Sequence, residues 1–132
     1  MTLAEFNALA QTDETVDQEL DMKQLEFLRG GGVILEGRLA GWLAYRYEIP
    51  AFKTWIVCEE TERVRRLVER DGEDEAAQRA SMLDRETRES DRYQRYYGAD
   101  LADLAIYDLV LDSTDTPPDA IRDQVLRALE AV

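Results

Sequence analysis

Three short apolar runs, Val33-Ile34-Leu35, Lys53 to Cys58 (KTWIVC) and Leu109-Val110-Leu111, lie along the chain with helix-patterned stretches between them. Runs this short, with no alternation of polar and apolar residues, fit strands covered on both faces. Strands separated by helices pair in parallel, because a helical crossover carries the chain back to the same end of the sheet. The expected order is helix, helix, strand, helix, strand, helix, long helix, strand, helix. This is an α/β domain with a largely parallel sheet and strands near 33–36, 53–58 and 109–112. A chain of 132 residues suits a single domain, 1–132, around one core.

Helix signals bound the runs. Thr2 and Glu5 make a capping-box pattern, and Leu3, Phe6 and Leu9 follow at helical spacing, so a short helix starts almost at the first residue. A second helix begins near Asp13, with Val16, Leu20, Phe27 and Leu28 as its apolar stripe, and Gly30 to Gly32 end it. That triplet leaves a helix and enters a strand, the reverse of the order in which a glycine loop cradles phosphate. No G-x-x-x-x-G-K-[ST] run occurs, and Lys23 and Lys53, the two lysines, follow no glycine loop. The closing helix has Thr116 as a cap, Pro117 for its first position, and Ile121, Val125 and Leu129 on one face.

Charge narrows the partners. The formal net charge is −13, from 29 Asp and Glu against 16 Lys and Arg, so nucleic acid and anionic membranes are repelled and neither is expected as a partner. An excess of carboxylates with arginine favoured over lysine matches proteins that stay soluble in concentrated salt, and it also fits an ordinary acidic protein. With one cysteine and no histidine, an internal disulfide, a histidine-based triad and a zinc site are excluded. No apolar run is long enough to cross a bilayer, and Glu5 interrupts the first apolar turn, so the reading is a cytoplasmic protein in a reducing compartment.

Ligands of open α/β sheets gather beyond the carboxyl ends of the strands, and polar groups follow all three runs: Glu36-Gly37-Arg38, Glu59-Glu60-Thr61 and Asp112-Ser113-Thr114. Glu36 is placed like a carboxylate that holds magnesium, directly or through its waters, beside a triphosphate. Arg38 would share that crevice, its planar fork suited to phosphate. Taken alone, E-G-R also fits an ion pair capping a strand. Nine of the fourteen arginines fall between Arg63 and Arg95. Arg63, Arg66 and Arg70 share one helix face, as do Arg85, Arg88 and Arg92, and a bound polyanion would offset their mutual repulsion. A solvated helix laced with pairs such as Arg85 with Glu89 and Asp91 with Arg95 fits the same pattern. From Asp74 to Tyr97 large apolar residues are few beyond Met82, Leu83 and the tyrosines, so this helix is expected to pack loosely and to move as a lid.

The blocks LAEFNALAQTDETVDQELD, VILEGRLAGWLA, KTWIVCEETERVRRLVERDG and RETRESDRYQRYYGADLADLAIYDLVLDST closely resemble, in this order and across nearly all of the chain, the archaeal-type cytidylate kinase family. The resemblance implies a P-loop NTPase-like nucleoside monophosphate kinase fold with a parallel sheet. It also implies phosphoryl transfer from ATP to CMP or dCMP with Mg2+. A monomer is expected. By the same resemblance, 1–30 form the helical monophosphate-binding part, 31–72 and 99–132 the α/β core, and 73–98 the lid helix. Gly37 and Arg38 would lie beside the monophosphate and Arg63 on the helix after KTWIVC. Arg85, Arg88, Glu89 and Arg92 would bracket the phosphates from the lid, with Arg38, Arg85 and Arg92 acting in catalysis.

Two departures matter. Leu39 stands where bacterial relatives carry Asp, so the reading of cytosine does not transfer. The family's first strand, glycine loop, following helix and second strand are also without a match. The sheet is therefore expected to lack its first, central strand and its second, leaving a gap between VILEG and TWIVC. Unpaired buried backbone groups there would cost about 1–3 kcal/mol each. The expectation is a cytidylate kinase in N-terminally truncated form, whose activity is impaired in these 132 residues. A non-catalytic nucleotide-binding module and a plain acidic structural domain stand as alternatives.

Overall fold

The computed structural model describes residues 14–132, and the helix expected from Thr2 lies outside the described residues. In chain order the elements are α1 (Glu14–Gly30), α2 (Ala40–Arg46), β1 (Thr54–Val57), α3 (Glu60–Asp71), α4 (Glu75–Tyr97), β2 (Leu109–Asp112) and α5 (Pro118–Glu130). They fall into two compact units: residues up to Ala51 with Leu83–Asp103, and Phe52–Met82 with Leu104–Val132. The architecture is mixed α/β with a small parallel sheet, consistent with part of a nucleoside monophosphate kinase fold.

In the first unit the core gathers Leu25 of α1, Leu39 and Leu43 around α2, and Ala99 just beyond α4, with Leu28, Trp42, Ile49, Tyr93 and Tyr97 packed against them. Full burial of a leucine contributes about 1.5–3 kcal/mol, so this cluster is what holds α1, α2 and the end of α4 together. The Tyr97 hydroxyl donates to the buried Asp21 carboxylate, and Arg46 donates to the Tyr97 carbonyl. The inward face of α1 is therefore Asp21, Leu25 and Leu28. The expected stripe is corrected: Leu20 and Phe27 are exposed, because the helix is turned to satisfy Asp21 and to bury Leu25. Gly31 and Gly32 end α1 at φ 69 and 66, a backbone conformation that suits glycine, as expected.

The expected strand at 33–36 does not form. These residues belong to no helix or strand, no described strand pairs with them, and Ile34 is fully exposed. A strand exists only through its ladder, and an apolar run with no partner stays irregular.

In the second unit β1 and β2 pair in parallel with Thr54 opposite Leu109 and Val57 opposite Asp112. The expected burial on both faces is corrected as well, because Ile56 and Val110 are exposed; with two described strands, each is an edge. Val64 of α3 and Ile121 of α5 are buried. Asp74 caps α4, its carboxylate accepting from the Ala76 amide at 2.9 Å. The closing helix starts one residue later than expected, with no side-chain cap from Thr116. Pro117 precedes Pro118, and a residue before proline is pushed out of the helical region; Pro117 sits at φ −67, ψ 157. None of the described helices is long and apolar enough to cross a membrane.

Candidate active site

Glu36, Gly37 and Arg38 lie in the link between the apolar run and α2, with the bend and turn at 37–39. Glu36 is exposed. Gly37 stands at φ 157, and a Cβ there would lie 3.8 Å from Gln24 Oε1, an ordinary contact. Backbone conformation, not space, is what favours glycine there. Arg38 projects onto α4: its Nη1 lies 2.9 Å from Glu89 Oε2 and its Nη2 3.5 Å from Glu86 Oε1.

The α4 residues that surround this contact follow helical spacing. Glu86 and Glu89 are three apart, and Arg85 and Arg92 flank them on the same side of the helix. Arg85 is half-buried and makes no hydrogen bond or ion pair with a described residue. The expected Arg85 to Glu89 pair does not form because the Glu89 carboxylate is turned to Arg38, and a cation placed before the anion is the weaker order on a helix. Arg88 pairs instead with Asp84 at 3.0 Å, on the solvent side, and the expected Asp91 to Arg95 pair is present at 3.5 Å. Arg92 is only 4% exposed, with its guanidinium carbon 5.5 Å from the Tyr93 ring centroid. The last turns of α4, with Tyr93 and Tyr97 on the core, are anchored more firmly than a loosely packed lid, whereas Leu83 and most residues from Thr87 to Asp91 are open to solvent.

Arg63 belongs to the other unit, on α3 after β1, where it is half-buried. In the same unit the carboxyl ends of both strands are tied together. The Glu59 amide donates to Thr114 Oγ1 at 2.9 Å, and Thr114 donates through its hydroxyl at 2.7 Å and its amide at 2.9 Å to Asp112 Oδ1. Those bonds hold the Asp112 carboxyl below the usual carboxylate range. Arg66 reaches the Ser113 carbonyl at 2.6 Å and its hydroxyl at 3.2 Å, so this arginine of the ladder braces the β2 end. Among the described residues no three acidic, cysteine or histidine groups converge as a metal site. Magnesium bound with a nucleotide needs only one or two protein carboxylates, because phosphates and water supply the rest, and an exposed Glu36 fits that lesser demand.

Glu86 is the site residue that sequence reasoning missed. Its signal was present: in RETRE the two glutamates stand three apart and share a face, as a bidentate partner for one guanidinium requires.

The small parallel sheet flanked by helices is a mixed α/β architecture consistent with part of a nucleoside monophosphate kinase fold. Residues 2–115 match the cytidylate kinase-like family. A cytidylate kinase of Halobacterium salinarum is 42% identical over 132 residues, covering 99% of this chain and 68% of that protein. Cytidylate kinases of Methanococcus maripaludis and Methanocaldococcus jannaschii are 36% and 34% identical over 131 residues, each alignment covering 98% of this chain and 74% of the relative. The chain belongs to the cytidylate kinase-like family.

Proposed function

We propose that the protein serves as a cytidylate kinase of the cytoplasmic pyrimidine nucleotide pool, moving the terminal phosphoryl group of ATP to CMP or dCMP and releasing ADP and CDP or dCDP. The observation that carries this reading is the meeting of Arg38 with the arginine-flanked Glu86 and Glu89 stretch of α4. It places one guanidinium against a helix face that carries Arg85 and Arg92, the kind of arrangement that phosphoryl transfer uses.

In such transfers the protein supplies position and charge more than covalent chemistry. Arg38, with Gly37 leaving its backbone open to approach, holds the monophosphate. Arg85 and Arg92 are the catalytic cations, Arg88 adds positive charge on the same helix, and Glu89 holds the Arg38 guanidinium in place until the monophosphate arrives. Glu36 would hold magnesium, directly or through water, as part of the ATP complex, and the ion would supply charge neutralisation at the phosphates.

The glycine-loop pattern for the ATP phosphates is not among these 132 residues, so by themselves they are expected to bind CMP and to turn over little of it. That same observation favours a second reading, a nucleotide-binding module that acts without catalysis. A coupled assay with ATP, Mg2+ and CMP, dCMP or UMP, beside calorimetric titration of CMP, separates them. CMP binding that Arg38→Ala abolishes supports the site. Strong turnover by residues 1–132 alone would remove the need for a glycine loop, and absence of CMP binding would remove the site.

A further inference from the structure

We infer that Glu86 and Glu89 are resident counter-ions of Arg38 which an incoming phosphate must displace, so that they set the affinity for the monophosphate. The inference rests on the reading of Arg38 as a monophosphate ligand. Two carboxylates occupy both terminal nitrogens of the Arg38 fork, Glu89 at 2.9 Å and Glu86 at 3.5 Å. Their side chains are only 18% and 22% exposed, against 37% for Arg38, so the contact is partly withdrawn from solvent and from screening by salt.

Charge then decides what a phosphate can do. Both terminal nitrogens of the Arg38 fork are already held by carboxylates. A phosphate dianion reaching the same fork would find its donors taken and would crowd four negative charges around that guanidinium. The phosphate therefore exchanges with the carboxylates and does not join them. A displaced Glu89 is not stranded, because Arg85 lies one turn before it with no described partner. A guanidinium has five donors, so Arg85 can take a carboxylate and keep donors for phosphate. In this scheme Glu86 and Glu89 are positioning residues: they keep Arg38 oriented while the site is empty and suppress binding of stray anions.

The test is calorimetric titration of the full 132-residue chain and of Glu86→Gln, Glu89→Gln and the double variant with CMP, cytidine and inorganic pyrophosphate. Glu89→Asp, which keeps the charge, is the conservative control, and thermal melts establish that each variant is folded. The double variant should bind CMP and pyrophosphate about 3- to 10-fold more tightly than wild type, as loss of two competing ion pairs implies, with cytidine unchanged. Glu89→Asp should stay near wild type. Wild-type binding of CMP with equal or weaker binding by the glutamine variants would overturn the exchange and leave the monophosphate site standing. If neither wild type nor the double variant binds CMP or pyrophosphate, both fall together. Binding that appears only in the double variant supports the exchange directly.

Discussion

A guanidinium is a stronger organiser than its single charge suggests, because its planar fork sets direction as well as attraction. Arg38 uses that fork on α4, Arg66 uses it on Ser113, and Arg65 uses it on Glu62, so three arginines of similar composition perform three different tasks. Tyr107 shows the opposite case, a polar group with nothing to hold. Its hydroxyl is buried without a hydrogen-bond partner among the described residues, its ring stacks at a tilt on Trp55 with centroids 5.2 Å apart, and burial pushes its pKa up to about 12. An unfolded tyrosine loses its proton near 10, so between about 10 and about 12 the folded state holds the proton more tightly and stability falls as pH rises. Tyr107→Phe should leave neutral-pH stability unchanged or slightly higher and should flatten that alkaline loss, as read from urea unfolding at a series of pH values.

At the scale of elements, α3 has its own titration. Arg65 bonds both Glu62 oxygens at 2.7 and 2.8 Å, and with help from Arg66 it holds the Glu62 carboxyl at about 2, below its ordinary 4.5. The stabilisation is complete above 4.5 and disappears as pH falls toward 2, so Glu62→Gln should shallow the acid limb of an unfolding series, and less so in high salt. The unpaired run at 33–36 makes a contrasting prediction: Ile34→Ser should shift stability by no more than about 0.5 kcal/mol in denaturant unfolding, whereas a strand covered on both faces would suffer far more. Much of this level was legible in the chain. The glycine stop of α1, the two paired strands and the 75–97 helix follow from periodicity and punctuation, which are local. The face that α1 turns inward was not legible, since it depends on Tyr97 meeting Asp21 across 76 positions of sequence. Nor was the failure of Val33 to Glu36 to pair, because an apolar run states a preference for a strand without naming its neighbour. The candidate site was half legible: Arg38 and the α4 arginines stood out by type and spacing, but the contact of Arg38 with Glu86 and Glu89 is a tertiary fact.

For the molecule as a whole, a net charge of −13 means that self-repulsion opposes compaction at low ionic strength. Raising salt from about 0.01 to 1 M shortens the screening length from about 30 to 3 Å, so the thermal midpoint should climb with salt in calorimetric scans; a flat or falling midpoint would count against this account. The same ions act on a second feature. Among the described residues Val33 to Leu35 have no ladder partner, with Val33 and Ile34 open to water, and such a stretch is a template for an extended chain. At low ionic strength the carboxylates keep copies apart by distance alone. In brine that separation is gone, and colloidal shelf life then depends on how quickly three greasy residues find a neighbour to zip onto.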